Sequence, residues 1–260
     1  MTTGAQVRSL GHTIHRLGEV VSTQIEAARL AAAGASEGTV VTATHQSAGR
    51  GRRGRLWLDA PGQSLLMSIV LRPAIAPGLA PQLSLVAAVA VADALANALG
   101  SSGVTAAIRW PNDVMVGKRK ICGLLPEAVT MRDGALDHVI LGIGLNVNQA
   151  EFPAPIRKLA TSMRIETGVE RPVDEMLAAV LAALDDRYQS FVRGGLGALL
   201  PSWLERAQGI GGRATAADGR EGIAVGLDLD GALLLRTDGG ALIRVVAGEV
   251  MMEAIHAAGH

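Results

Sequence analysis

The chain has a single cysteine, Cys122, in 260 residues. One thiol excludes an internal disulfide framework and any cysteine-rich zinc site, and it fits a reducing compartment. Aromatic residues are nearly as scarce, at 2% of the chain against 49% hydrophobic residues overall. Packing must therefore rest on Ala, Val, Leu and Ile, which makes each of the three tryptophans, Trp57, Trp110 and Trp203, more informative. Net charge is missing too, since Lys plus Arg and Asp plus Glu number 24 each. A dedicated DNA-binding domain carries a global basic field, so this balance argues against one. The N-terminus lacks the apolar run of a signal peptide, and the most apolar helical window, Leu83 to Leu99, contains Asp93 and Asn97 and is short for a bilayer. It reads as a buried core helix in a cytoplasmic protein with no membrane partner. There is no Walker lysine motif, no nucleophile elbow, and no metal-like spacing among His12, His15, His45, His138, His256 and His260.

Against this neutral background stands Gly49-Arg50-Gly51-Arg52-Arg53-Gly54-Arg55, closed by Trp57. Guanidinium forks match carboxylate and phosphate oxygens, while interleaved glycines let backbone N–H groups approach a ligand. The segment suits closure over a phosphorylated compound. An RGG-like contact with nucleic acid, or a solvated basic loop, is the alternative reading.

The β-branched run Thr39 to His45 predicts a strand that delivers the chain into this loop. Before it, His12 to Val21 reads as a strand and turn, and Ser22-Thr23 as the cap of a helix reaching about Ala33. Gln63 to Leu71, Thr105 to Trp110, Lys120 to Met131 and Leu136 to Leu145 read as strands, the last two joined at Asp133-Gly134. Pro81 to Gly100, Pro172 to Val192 and Leu196 to Ala207 read as helices. From about Gly209 the texture changes to short apolar runs broken by Asp218-Gly219, Asp230-Gly231 and Asp238-Gly239, which predicts a small all-β unit. We expect two domains, 1–208 and 209–260, in an α/β (α+β) chain.

Further polar residues follow the loop: Arg109-Trp110-Pro111-Asn112-Asp113, Lys118-Arg119-Lys120 and Glu127. At strand ends they can converge on one mouth, with Lys120 as a point charge and Asp113 and Glu127 as candidate Mg²⁺ ligands. A turn and a solvated hairpin tip are the bland reading. Gly142-Ile143-Gly144-Leu145-Asn146-Val147-Asn148 lacks the third glycine and following helix of a dinucleotide fingerprint, and its glycines suit a flat ring.

Taken together, Ser22-Thr23-Gln24, Gln46 with the arginine loop and Trp57, Arg109 to Asp113, Arg119 to Leu125 with Glu127, and Gly142 to Asn148 resemble the biotin protein ligase family in order and spacing. The resemblance runs from about residue 12 to 253. It implies a mixed β-sheet flanked by helices, as in the class II synthetase-like biotin/lipoate ligase domain, followed by an SH3-like β-barrel. It also implies a two-step reaction with ATP and Mg²⁺, in which biotin becomes biotinyl-5′-AMP and then passes to a lysine of a biotin carboxyl carrier protein. Carried over, Ser22, Thr23, Gln24, Gln46, Gly49 and Gly123 would line the biotin site. Arg50, Arg52, Arg53, Arg55 and Lys120 would hold carboxylate and phosphates, and Trp57, Asn112 and Asn146 would serve the adenylate. Lys120, Arg50 and Asp113 would be catalytic, with Asp113 and Glu127 on magnesium. Arg109 and Gln24 depart from the usual lysine and asparagine, keeping donor character, and Pro126 interrupts a strand just before Glu127. With about ten residues before the first strand, a form without a helix-turn-helix and without DNA binding is expected. A lipoyl or octanoyl ligase is the related alternative.

Overall fold

The structure, a computed structural model, describes residues 9–246, 248 and 250–252. The extreme ends of both expected domains, with His256 and His260, lie outside these residues. The chain opens with β1 (Thr13–Val20) and α1 (Thr23–Ala32). Ser22 joins them, and its Oγ accepts the Gln24 N–H, satisfying one of the donors left unpaired in a first helical turn. β2 (Thr39–Gln46) enters the arginine segment, which folds as a hairpin of β3 (Gly49–Arg50) and β4 (Leu56–Trp57). β5 (Ser64–Leu71), α2 (Gln82–Leu99), β6 (Ala106–Arg109), β7 (Asp113–Val116), β8 (Arg119–Thr130) and β9 (Leu136–Asn146) follow. α3 (Met163–Thr167), α4 (Val173–Gly194) and α5 (Leu200–Arg206) complete the first unit.

Seven strands form one mixed sheet in the order β1-β2-β5-β9-β8-β7-β6, with β1 and β2 parallel and the remaining neighbours antiparallel. Successive side chains of a strand point to opposite faces. In β9, Leu141, Ile143 and Leu145 therefore enter the main core, while Ile140, Gly142, Gly144 and Asn146 share the other face. α2 and α4 cover the core face. α2 is alanine-rich, so its backbone comes close to its neighbours, and its buried Leu83, Val86, Val89 and Leu95 contribute about 1.5–3 kcal/mol each. The stretch Pro77–Leu99 is long and apolar enough to cross a membrane, yet 78% of its apolar 18-residue window lies inside the fold. On the opposite face α1 packs Ala27 and Ala31 on Val41, Val70 and Ile140. It covers one end only, reaching Gly142 through Gln24 and leaving Gly144 beyond its first turn.

The second unit is an SH3-like antiparallel sheet of β10 (Arg213–Ala216), β11 (Glu221–Leu227), β12 (Leu233–Arg236), β13 (Leu242–Val245) and β14 (Val250–Met252), ordered β13-β12-β11-β10-β14. Gly219 and Gly231 take φ of +84° and +88°, a conformation that favours glycine. In the third turn the left-handed residue is Gly240. Trp110 ties the units together, its Nε1–H donating to the Gly231 carbonyl at 3.0 Å.

Three local expectations change. Asp133-Gly134 is part of a wider loop over 131–135, closed by the Met131 N–H on the Ala135 carbonyl, because the strand register ends at Thr130 opposite Leu136. Residues 196–207 are not one helix: a 3₁₀ turn at Leu196–Ala198 precedes α5, where Pro201 suits the first helical turn. α3 has no counterpart among the elements expected from the sequence.

Candidate active site

The open end of the sheet carries a slot floored by glycine. Gly123 of β8 lies opposite Gly144 of β9, and Leu125 opposite Gly142. The absence of Cβ atoms is what makes room there. A Cβ at Gly144 would come within 2.6 Å of Trp57 Cε2, and one at Gly123 within 2.9 Å of both Trp57 Cζ3 and Lys120 Nζ. A Cβ at Gly142 would meet the Gln24 amide at 2.9 Å. The flat ring suggested by the glycines is thus, in this structure, the protein's own indole, and the slot beside it encloses about 50 Å³. An adjoining groove of about 970 Å³ runs from the arginine loop past Asn112, Asp113 and Lys120 to Met251 of the β unit. Trp57 borders both.

One wall of the slot is polar and preorganised. Gln46 Oε1 accepts the Thr23 N–H at 2.8 Å and the Thr23 hydroxyl at 3.0 Å, and Thr23 Oγ1 also meets Ser68 Oγ at 2.8 Å. With Oε1 doubly committed, the Gln46 amide faces a ligand with its Nε2 donors. Gln24 Nε2 donates to the Leu125 carbonyl at 3.1 Å. Ser22 caps α1 and Gly49 lies under Trp57, where a Cβ would meet the Trp57 carbonyl oxygen at 2.7 Å. Neither is among the slot's lining residues.

The arginine loop is built, not formless. Gly49 pairs with Trp57, Arg50 with Leu56, and the Gly51 N–H reaches the Arg55 carbonyl at 2.8 Å. Arg53 takes φ 56°, a left-handed conformation uncommon for a residue with a side chain. Arg50 forms a two-pronged pair with Glu127, at 2.9 Å and 2.8 Å. Arg52 donates to Asn112 Oδ1 at 3.0 Å, while Asn112 Nδ2 holds the Leu124 carbonyl at 2.7 Å. Arg53 and Arg55 face the groove. At the far root of the loop, His45 bonds Asp59 at 2.8 Å and so takes a structural partner.

Asp113 is the charged centre. Its Oδ1 lies 2.6 Å from Lys120 Nζ and its Oδ2 accepts from Arg109 Nη2 at 2.8 Å. Burial alone pushes this carboxyl up, but the Lys120 ammonium and the Arg109 guanidinium outweigh it and hold the pKa below the usual carboxylate range. Burial pushes the Cys122 thiol up, so it is a small core residue.

The expected Mg²⁺ pair is not brought together. Asp113 is opposite Gly123, and Glu127 lies four residues farther along β8, about 13 Å away by strand rise. Each carboxylate is already held by cations, and among the described residues there is no cluster of three His, Cys, Asp or Glu side chains. The two residues do not fit a shared ion. Pro126 sits where β8 is paired only with β9, the half-open placement a residue without an N–H accepts.

Sequence reasoning missed the strap over 159–166. The Lys120 N–H donates to the Leu159 carbonyl at 2.7 Å, and the Thr161 N–H to the Lys120 carbonyl at 2.9 Å. Thr161's own carbonyl accepts from Asn146 Nδ2 at 2.9 Å. No periodicity or motif announces these contacts, because they are main-chain bonds across some forty residues of sequence.

Comparison with known proteins agrees with this geometry. The Biotin/lipoate A/B protein ligase family matches residues 17–146, and the Biotin protein ligase C terminal domain matches residues 217–252. A biotin--[acetyl-CoA-carboxylase] ligase of Paracoccus denitrificans is 36% identical over 88% of this chain and 96% of its own. A bifunctional ligase/repressor BirA of Bacillus spizizenii is also 36% identical, over 91% of this chain and 73% of its own. Among solved structures, the biotin protein ligase of Aquifex aeolicus in complex with biotin and ATP superposes with a TM-score of 0.78 at 29% identity, covering 94% of this chain and 99% of that one. The chain belongs to the biotin/lipoate A/B protein ligase family.

Proposed function

We propose that this protein is a biotin-[acetyl-CoA-carboxylase] ligase, which activates biotin with ATP as biotinyl-5′-AMP and transfers it to a lysine of a biotin carboxyl carrier protein. The observation that carries this reading is the meeting of Lys120, Arg50 and Arg52 at a glycine-floored slot whose far wall is the Thr23–Gln46 amide system. That arrangement suits an acid with a hydrogen-bonding ring at one end and a carboxylate at the other.

In the first step the biotin carboxylate attacks the α-phosphorus of ATP, forming a C–O–P bond as the bond to pyrophosphate breaks. No general base is needed, since the nucleophile is already ionised. Two anions must approach, and charge builds on the phosphoryl oxygens, where preorganised cations act most strongly. Lys120 then shares its ammonium between Asp113 and the substrate oxygens, Arg50 leaves Glu127, and Arg52 leaves Asn112. In the second step the carrier's lysine gives a proton to solvent, its neutral amine attacks the acyl carbon, AMP departs with the electrons of the acyl–oxygen bond, and an amide forms. We assign Asp113 to orient that incoming ammonium.

The remaining roles follow position. Thr23, Gln24 and Gln46, with Gly123 below, hold the biotin ring, and Ser22 and Gly49 support that wall from behind. Asn146 keeps Oδ1 without a partner, because Thr161's carbonyl can only accept and so fixes Nδ2 toward itself. Asn146 borders neither the slot nor the groove as they stand, but it shares the sheet face of Gly142 and Gly144, where a spare acceptor would recognise a donor such as the exocyclic amine of adenine. Trp57, Asn112, Arg53 and Arg55 belong to the nucleotide side, and Mg²⁺ would enter with ATP as part of that substrate. We place the boundary between the catalytic and β domains at 208/209. Biotin-dependent exchange of labelled pyrophosphate into ATP, in the absence of carrier, tests the reading. Exchange with octanoate or lipoate but not with biotin would move the chain to the related ligase class.

A further inference from the structure

Thr161 is fully buried, and every polar group it owns is spent on the site. Its N–H holds the Lys120 carbonyl, its carbonyl holds Asn146 Nδ2, and its hydroxyl donates to Glu166 Oε1. That same carboxylate oxygen accepts Arg119 Nη2 at 2.7 Å, and Arg119 is the neighbour of Lys120. The loop is thus closed: β8 holds α3 through Arg119 and Glu166, α3 holds Thr161, and Thr161 returns to Lys120. Asn146 is 2% exposed and makes no other side-chain bond among the described residues. The sense of its amide therefore depends on Thr161 alone.

We infer that Thr161 is a positioning residue that couples nucleotide selection to the alignment of Lys120. It holds Nδ2 and so leaves Oδ1 as the spare acceptor of the Asn146 amide; where that acceptor meets the base, one carrying an exocyclic amine is accepted and one carrying a carbonyl at the same place meets acceptor against acceptor. Glu166 keeps Thr161 in register through its hydroxyl. Without that anchor the segment relaxes, the Thr161 carbonyl moves off Nδ2 so that the Asn146 amide is no longer held in one sense, and the Lys120 main chain loses a fixed neighbour. Selectivity and turnover then fall together. The inference rests on the ligase reading, and on Asn146 facing the base.

The test compares ATP with ITP, which replaces the exocyclic amine by a carbonyl, in biotin-dependent pyrophosphate exchange. The wild type, Thr161→Ser, Thr161→Val and Glu166→Gln are assayed alongside their melting temperatures. The wild type should prefer ATP by at least about 100-fold in kcat/KM, since a site built to hydrogen-bond a group strongly rejects an analogue that cannot supply it. Thr161→Val keeps the shape and loses the hydroxyl, and its preference should drop by about tenfold together with kcat, while KM for biotin holds. Thr161→Ser should retain both. A folded Thr161→Val with the wild-type ratio overturns the inference even though the enzyme is a ligase. If Thr161→Val does not fold, Glu166→Gln decides: a smaller ratio supports the inference and an unchanged one overturns it. A wild type without biotin-dependent exchange removes the ligase reading and this inference with it.

Discussion

Gly144→Ala isolates the glycine floor from the rest of the site. The new methyl would sit 2.6 Å from Trp57 Cε2, 2.9 Å from Cζ2 and 3.0 Å from Cδ2. Carbon atoms prefer about 3.5–4.0 Å, so the overlap is about 1 Å. Two things can yield: β9, bonded on both sides by β5 and β8, or the indole on the two-residue strand β4. The loop is the softer partner, so the cost should fall at the low end of the roughly 1–3 kcal/mol typical of overpacking. In a protein of this size about 1 kcal/mol lowers Tm by about 2–4 °C. Biotin, however, must enter the slot that Gly144 and Trp57 both line, and one methyl too many there should weaken it by about 10–200-fold. The assay is calorimetric titration with biotin, run beside thermal melts of Gly144→Ala and of Gly18→Ala, where nothing lies within 4 Å of the added Cβ. Wild-type affinity in Gly144→Ala would refute the proposed floor, and a loss of stability well beyond about 3 kcal/mol would show that the sheet, not the loop, had moved.

Other expectations follow from single contacts. Ser22→Ala removes the cap of α1 and should cost about 1 kcal/mol in urea denaturation, with KM for ATP unchanged. Asp113→Asn leaves Lys120 and Arg109 without their shared anion and should cost about 2 kcal/mol at pH 7, the roughly 3–5 kcal/mol of a fully buried pair being reduced by partial exposure. Because the folded carboxyl titrates below its ordinary value near about 3.9, its contribution is present above that pH and is lost as pH falls through the folded value. The stability gap between wild type and Asp113→Asn should therefore stay level from about pH 8 to 5 and close below about pH 4, as urea midpoints would record. Cys122, buried and with its thiol pKa raised, should react with a thiol reagent only as fast as the protein unfolds.

Much of the frame was legible because its signals are local. Ser22 before an alanine-rich run, the β-branched run into Gln46 and the Asp-Gly turns of the second unit each declare themselves within a few residues. The charged members of the site were legible for the same reason, since four arginines packed among glycines repel one another unless an anion is brought between them. What escaped is what depends on distant partners. Glu127 carries no mark that its partner is Arg50, 77 residues earlier, rather than a metal ion. Trp57 lies over Gly123 and Gly144, a place that depends on how far a two-residue strand carries the indole across the sheet. Thr161 and Glu166 lie on a segment whose order comes from main-chain bonds to Lys120 and from a helix of five residues, too short for a periodic signal.

Whether Lys120 drives a biotin transfer is read from the mass of a biotin carboxyl carrier domain incubated with enzyme, biotin and Mg-ATP. The expected result is a gain of one biotinyl group on one lysine, dependent on ATP, with a rate at least about 100-fold lower for Lys120→Ala. A carrier whose mass never changes, or one modified equally fast by Lys120→Ala, would contradict it.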